Sequence, residues 1–124
     1  MLVVEGGAMQ KLVLVVAIVF LVAALGVSAQ ADVTGSWQFV VELDIGSGDP
    51  TFVFEQDDEM LTGTYEGMFG EAPVTGTVKG NQIEFRFGAQ GSEAVYVGTI
   101  DGDTMSGNCD YGGVGEGTWE ADRG

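Results

Sequence analysis

From residue 32 onward the apolar side chains recur at every second position, and glycine keeps falling on the same phase. A period of two marks half-buried β-strands, whose successive side chains point to opposite faces of a sheet. No stretch after residue 31 carries the three-to-four spacing of an amphipathic helix. The pattern predicts eight short strands, approximately Gly35 to Leu43, Thr51 to Gln56, Met60 to Glu66, Ala72 to Lys79, Gln82 to Phe87, Glu93 to Ile100, Thr104 to Asp110 and Gly115 to Arg123. Lys79-Gly80-Asn81 and Asp101-Gly102-Asp103 between them read as tight hairpin turns, and Gly46-Ser47-Gly48-Asp49-Pro50 as a looser one. Connections this short pair each strand antiparallel with the next, which gives an up-and-down meander.

The inward phase collects Trp37, Phe39, Val41, Leu43, Phe52, Phe54, Leu61, Tyr65, Val74, Val78, Ile83, Phe85, Phe87, Tyr96, Ile100, Met105, Cys109, Trp119 and Ala121. Gly35, Gly63, Gly76, Gly98, Gly107 and Gly117 share that phase. Glycine weakens a strand in general, so six in one phase need a reason. Closure supplies it, because a missing Cβ on the inner wall lets the sheet coil sharply and leaves room for large rings. Closing also removes the exposed edges on which β-proteins aggregate. The expected fold is an eight-stranded antiparallel up-and-down barrel. On the outer phase Val40, Val53, Val95 and Val97 break the polar pattern, and the last two form a candidate contact patch.

The first 31 residues read differently. Leu12 to Leu25 is nearly unbroken apolar sequence, preceded by Lys11 and followed by small residues, the layout of a cleavable export signal. At about fourteen residues the run is shorter than the roughly 20 needed to span a bilayer. Cleavage fits after Ala29 or after Ala31, leaving one domain over 32–124 in a secreted or periplasmic location. Glu5 sits where a signal should be positive, so Met9 is a cleaner translation start than Met1. The one cysteine, Cys109, is far from either frame, so it cannot accept a lipid at a new N-terminus or form an internal disulfide.

Removing 1–31 takes one acid, Glu5, and one base, Lys11, so the net charge stays at −15. Lys79, Arg86 and Arg123 cannot supply the basic patch that nucleic acid or an anionic membrane surface requires, so neither is an expected partner once the signal is gone. The sequence contains no histidine, which excludes serine- or cysteine-histidine catalysis. The carboxylate clusters Asp57-Asp58-Glu59 and Asp101-Gly102-Asp103 lie on predicted turn tips, where solvation suits neither glycoside hydrolysis nor a complete calcium loop. No catalytic residue, cofactor or metal site is expected.

Gly35-Ser36-Trp37 on the first strand resembles the G-x-W opening of the calycin-type barrels, the lipocalin and avidin-like architecture. Leu61-Thr62-Gly63-Thr64-Tyr65-Glu66 resembles a third-strand segment of the avidin group. The resemblance implies an eight-stranded meander barrel closing on a core or a small ligand, and it places Tyr65 where that group contacts biotin. The serine two positions after that tyrosine is Gly67 here, and Gln38, Phe39 and Val40 replace the polar residues after the first-strand tryptophan, so biotin is not the implied ligand. The expected function is an exported, non-enzymatic barrel binding a small apolar or aromatic ligand, with Trp37, Tyr65, Tyr96 and Trp119 as candidate lining. The alternative is a filled barrel acting as an interaction domain through its acidic surface.

Overall fold

The computed structural model describes residues 30–124, so the apolar segment expected to direct export and both candidate start methionines lie outside the described residues. The strands are β1 (Gly35–Leu43), β2 (Gly46–Gly48), β3 (Thr51–Asp57), β4 (Met60–Gly67), β5 (Gly70–Lys79), β6 (Gln82–Ala89), β7 (Ser92–Asp101), β8 (Thr104–Asp110) and β9 (Glu116–Arg123). From β3 onward each pairs antiparallel with the next, and β9 returns to pair with β1 from Trp37↔Arg123 to Leu43↔Gly117. The sheet therefore has no open seam.

The two short pieces β2 and β3 are one barrel strand. Along β1 their register is continuous, running from Leu43↔Gly46 to Gly35↔Phe54. The break falls at Pro50, which has no N–H to give the ladder. Phe39 still donates to the Pro50 carbonyl at 3.0 Å, while the Gln38 side chain donates to Asp49 O at 2.9 Å and accepts from Thr51 Oγ1 at 3.1 Å. Of the stretch expected as a loose loop from Gly46 to Pro50, Gly46–Gly48 is thus strand and Asp49-Pro50 bridges to β3, while Asp44-Ile45 makes the turn. Counted this way the barrel has eight strands, the expected architecture.

Register fixes the barrel's shape. A path across partners from Gln56 passes Leu61, Gly76, Phe85, Tyr96, Cys109, Gly117 and Leu43 and arrives at Gly46, ten residues back on the strand where it began. With strands ~4.8 Å apart and a rise of ~3.3 Å per residue, this stagger tilts eight strands by about 41° and sets a backbone radius of about 8 Å. A cylinder that narrow is filled by side chains.

Such tight coiling explains most of the inward glycines. A Cβ on Gly107 would lie 1.9 Å from the Val97 carbonyl oxygen, and one on Gly117 would lie 1.8 Å from that of Glu42. Gly63, Gly76 and Gly98 meet neighbouring backbone in the same way, and Gly98 also leaves room for the Trp119 ring. Bulky rings stand beside them in the ladder, with Phe54 opposite Gly63, Phe85 opposite Gly76 and Trp119 opposite Gly107. Gly35 differs from the expectation. Nothing crowds it, and its requirement is a φ of +130° where the chain enters β1.

Every apolar side chain expected to point inward is buried except Leu43, which is half-buried, as are the six glycines of that phase. The interior is a continuous aromatic stack in which Trp119 lies on Phe39 at 5.0 Å, Phe85 on Tyr96 at 4.9 Å and Tyr65 on Phe87 at 4.2 Å between ring centroids. Ring pairs of this kind add to the area they bury. One end of the barrel is sealed by Gln30 to Thr34. There Val33 is fully buried, the Trp37 indole donates to Val33 O at 2.9 Å, and Arg123 holds Thr34 O and Asp32 O, each at 2.9 Å, while lying 4.6 Å over the Trp37 ring.

Candidate functional site

The opposite end is the mouth, formed by the turns Asp44-Ile45, Met68-Phe69 and Gln90-Gly91 and by the longer β8–β9 connection from Tyr111 to Gly115. A cleft of about 290 Å³ opens between the first two turns and Tyr111. Its buried members are Val41, Pro50, Tyr65 and Tyr111, with half-buried Leu43 and Phe69 beside them. At its rim Ile45 and Met68 stand 63% and 74% exposed, which is costly for large apolar side chains with nothing over them. Each has a local cause. Both occupy two-residue turns whose neighbouring strands leave the barrel at its mouth, beyond the reach of the filled core.

The polar groups are few and neutral. Tyr65 Oη accepts from Phe69 N–H at 3.2 Å, which ties the Met68-Phe69 turn to the cleft wall. The Tyr111 hydroxyl is hydrogen-bonded to the buried Tyr96 hydroxyl behind it. Burial, reinforced by the neighbouring phenol, drives the Tyr96 pKa far above the ordinary phenol value, and burial likewise raises that of Tyr111. Both remain O–H groups at any physiological pH. Either phenol can donate in that pair, and a tyrosine hydroxyl serves as both donor and acceptor. The cleft thus offers apolar walls and a small number of hydrogen-bond donors. The one charged residue among those that line it is Asp49, which disfavours an anionic occupant.

The four aromatic residues expected to line a site are all buried, but they do not gather at one site; Tyr96 and Trp119 alone of them pack together, at 5.7 Å between centroids. Tyr65 lines the cleft, and Tyr96 stands behind it through Tyr111. Trp119 packs in the middle of the stack with its indole donating to Asn108 O at 2.9 Å, and Trp37 belongs to the sealed end. Sequence reasoning missed Phe69 and Tyr111, which pack against each other at 5.5 Å between centroids. Both sit in connections outside the strand alternation. The available signal was an aromatic residue in a connection next to a strand end, Phe69 just before β5 and Tyr111 just after β8.

A second concavity, of about 780 Å³, runs along the outer face of β7, β8 and β9. Val95 and Val97 lie in it among Glu93, Asp110 and Glu116, with Asp44 at one end. Cys109 contributes to its wall, but burial pushes the thiol pKa up to about 11, so it is not a ready nucleophile. Among the described residues no three or more Asp, Glu or Cys side chains converge in a way that could hold a metal ion. No protein-family model matches the chain, and no curated protein matches it.

Proposed function

We propose that this chain is an exported, non-enzymatic barrel of calycin-like type that binds a small, neutral, apolar or aromatic ligand in the mouth cleft. One observation carries the reading: a concave apolar cleft, rimmed by exposed Ile45 and Met68, at the end of an otherwise filled barrel. The ligand belongs at the mouth because stacked rings occupy the interior. Leu12 to Leu25 supports export, and Gly35-Ser36-Trp37 with Leu61 to Glu66 supports the calycin kinship. The test is titration with N-phenyl-1-naphthylamine, a neutral dye whose emission rises in apolar surroundings. Gly48 lines the cleft, and a Cβ there would find only Met68 Cε, at 4.0 Å. Gly48→Leu fills the cleft and abolishes the signal, while Val97→Thr on the outer face leaves it intact. Equal emission from both variants, or none from the wild type, refutes the proposal.

The valine-floored outer groove supports a second reading, in which a basic peptide with apolar side chains docks among Glu93, Asp110 and Glu116. That binding would be lost in Val97→Glu and weakened by salt, whereas occupation of the mouth cleft by a neutral ligand is insensitive to salt.

A further inference from the structure

We infer that the export signal is cut between Ala29 and Gln30, so that the mature chain begins at Gln30; this rests on the export reading above. The sequence offers two frames, Val27-Ser28-Ala29 and Ala29-Gln30-Ala31, each with small residues where a signal peptidase needs them. The fold separates them, because Gln30 and Ala31 are working parts of the barrel's sealed end. The Gln30 side-chain amide donates to Asp58 O at 3.0 Å and to Val78 O, and its carbonyl accepts from Gly80 N at 2.8 Å. These bonds tie the β3–β4 turn to the β5–β6 turn. Ala31 N–H donates to Gly80 O at 3.0 Å, and Ala31 O accepts from Gln56 Nε2 at 2.8 Å. Through its own Oε1, Gln56 then holds Val33 N–H at 2.9 Å, over the buried Val33 side chain.

Cleavage after Ala31 would discard the first two residues of this seal and leave the Gln56 amide and the Gly80 backbone without those partners. Cleavage after Ala29 keeps all of them. The step is hydrolysis of the Ala29–Gln30 peptide bond by a host signal peptidase: water adds, leaving a carboxylate on Ala29 and an ammonium on Gln30.

The experiment expresses the full 124-residue precursor in an exporting bacterial host and determines the exported protein's intact mass and N-terminal sequence. The expected product is Gln30–Gly124 with its first residue open, because closure to the lactam would expel as ammonia the side-chain nitrogen that holds Asp58 O and Val78 O. Ala31→Leu spoils only the later frame and leaves the processing point and yield unchanged. A chain made to begin at Asp32 melts about 10 °C or more below one beginning at Gln30, since several net-stabilising hydrogen bonds are lost. Exported protein beginning at Asp32, a block by Ala31→Leu, or equal melting of the two forms overturns the inference. Retention of residues 1–29 instead defeats the export reading beneath it.

Discussion

Gly117→Ala probes the seam that closes the barrel. Gly117 is on β9 opposite Leu43 of β1, and a Cβ there would lie 1.8 Å from Glu42 O and 2.8 Å from Leu43 Cα. Both neighbours are backbone, so no side-chain rotation relieves the overlap; β9 must move away from β1 by more than an ångström. Overpacking of this kind costs about 1–3 kcal/mol. Separating the strands also weakens the adjacent Asp44 N–H to Glu116 O bond, 3.1 Å long, at a further cost of ~1 kcal/mol. Alanine's conformational advantage in a strand returns about 0.5–1 kcal/mol. The net expectation is a destabilisation of about 1–3.5 kcal/mol, or a fall in Tm of roughly 5–25 °C for a domain of this size. Urea denaturation followed by the fluorescence of buried Trp37 and Trp119 measures it. Gly88→Ala is the control, since nothing lies within 4 Å of its added Cβ and its φ is ordinary; it is expected to be neutral or slightly stabilising. A Gly117→Ala variant within about 0.5 kcal/mol of the wild type would refute the argument that the closing seam has no room for a methyl group.

Removing one hydroxyl of the Tyr96–Tyr111 pair, as in Tyr111→Phe, strands the buried Tyr96 hydroxyl at a cost of about 1–3 kcal/mol, whereas removing both costs less than the sum; a double-mutant cycle in urea reads the coupling. Trp37→Ala is expected to cost about 3–5 kcal/mol in the same assay, because the ring is fully buried at the sealed end, under Arg123 and hydrogen-bonded to Val33 O. Alkaline pH should destabilise the fold. The folded Cys109 thiol has its pKa raised from 9.0 to about 11, so stability is complete below pH 9 and falls as the pH rises through that interval. Cys109→Ala removes this first portion of the loss and leaves the part due to Tyr96 and Tyr111, which begins near their ordinary value of 10.0, as pH-dependent denaturation will show. Because the net charge is −15, added sodium chloride should raise the Tm by screening self-repulsion, and scanning calorimetry at several ionic strengths checks this.

The barrel was legible because alternation and glycine phase are local consequences of strand geometry, and they agree along the whole domain. Trp37, Phe39 and Val41 announce a buried face within a single strand, and Gly107 or Gly117 marks where that face meets neighbouring backbone. Legibility failed where tertiary contacts replace local pattern. Gly46 to Gly48 reads as loop because two glycines and Pro50 suppress strand propensity, yet Gln38 repairs the ladder from the opposite strand. Gln30 to Thr34 has no alternation at all, and its order comes from Gln56, Gly80 and Arg123, which are distant in sequence. The cleft was half visible: Tyr65 falls on the inward phase, but Phe69 and Tyr111 enter from turns, whose side-chain directions period-two reasoning does not fix. Gly35 was placed correctly and explained wrongly, since phase alone does not distinguish a crowded Cβ from a required positive φ.

The most direct measurement is a crystal structure under xenon pressure, read by anomalous scattering. The account predicts a xenon atom in the mouth, against Leu43, Pro50 and Phe69, with none among the rings of Trp37, Phe39 and Phe85. Xenon within the stack, an empty mouth, or β1 and β9 standing apart would contradict it.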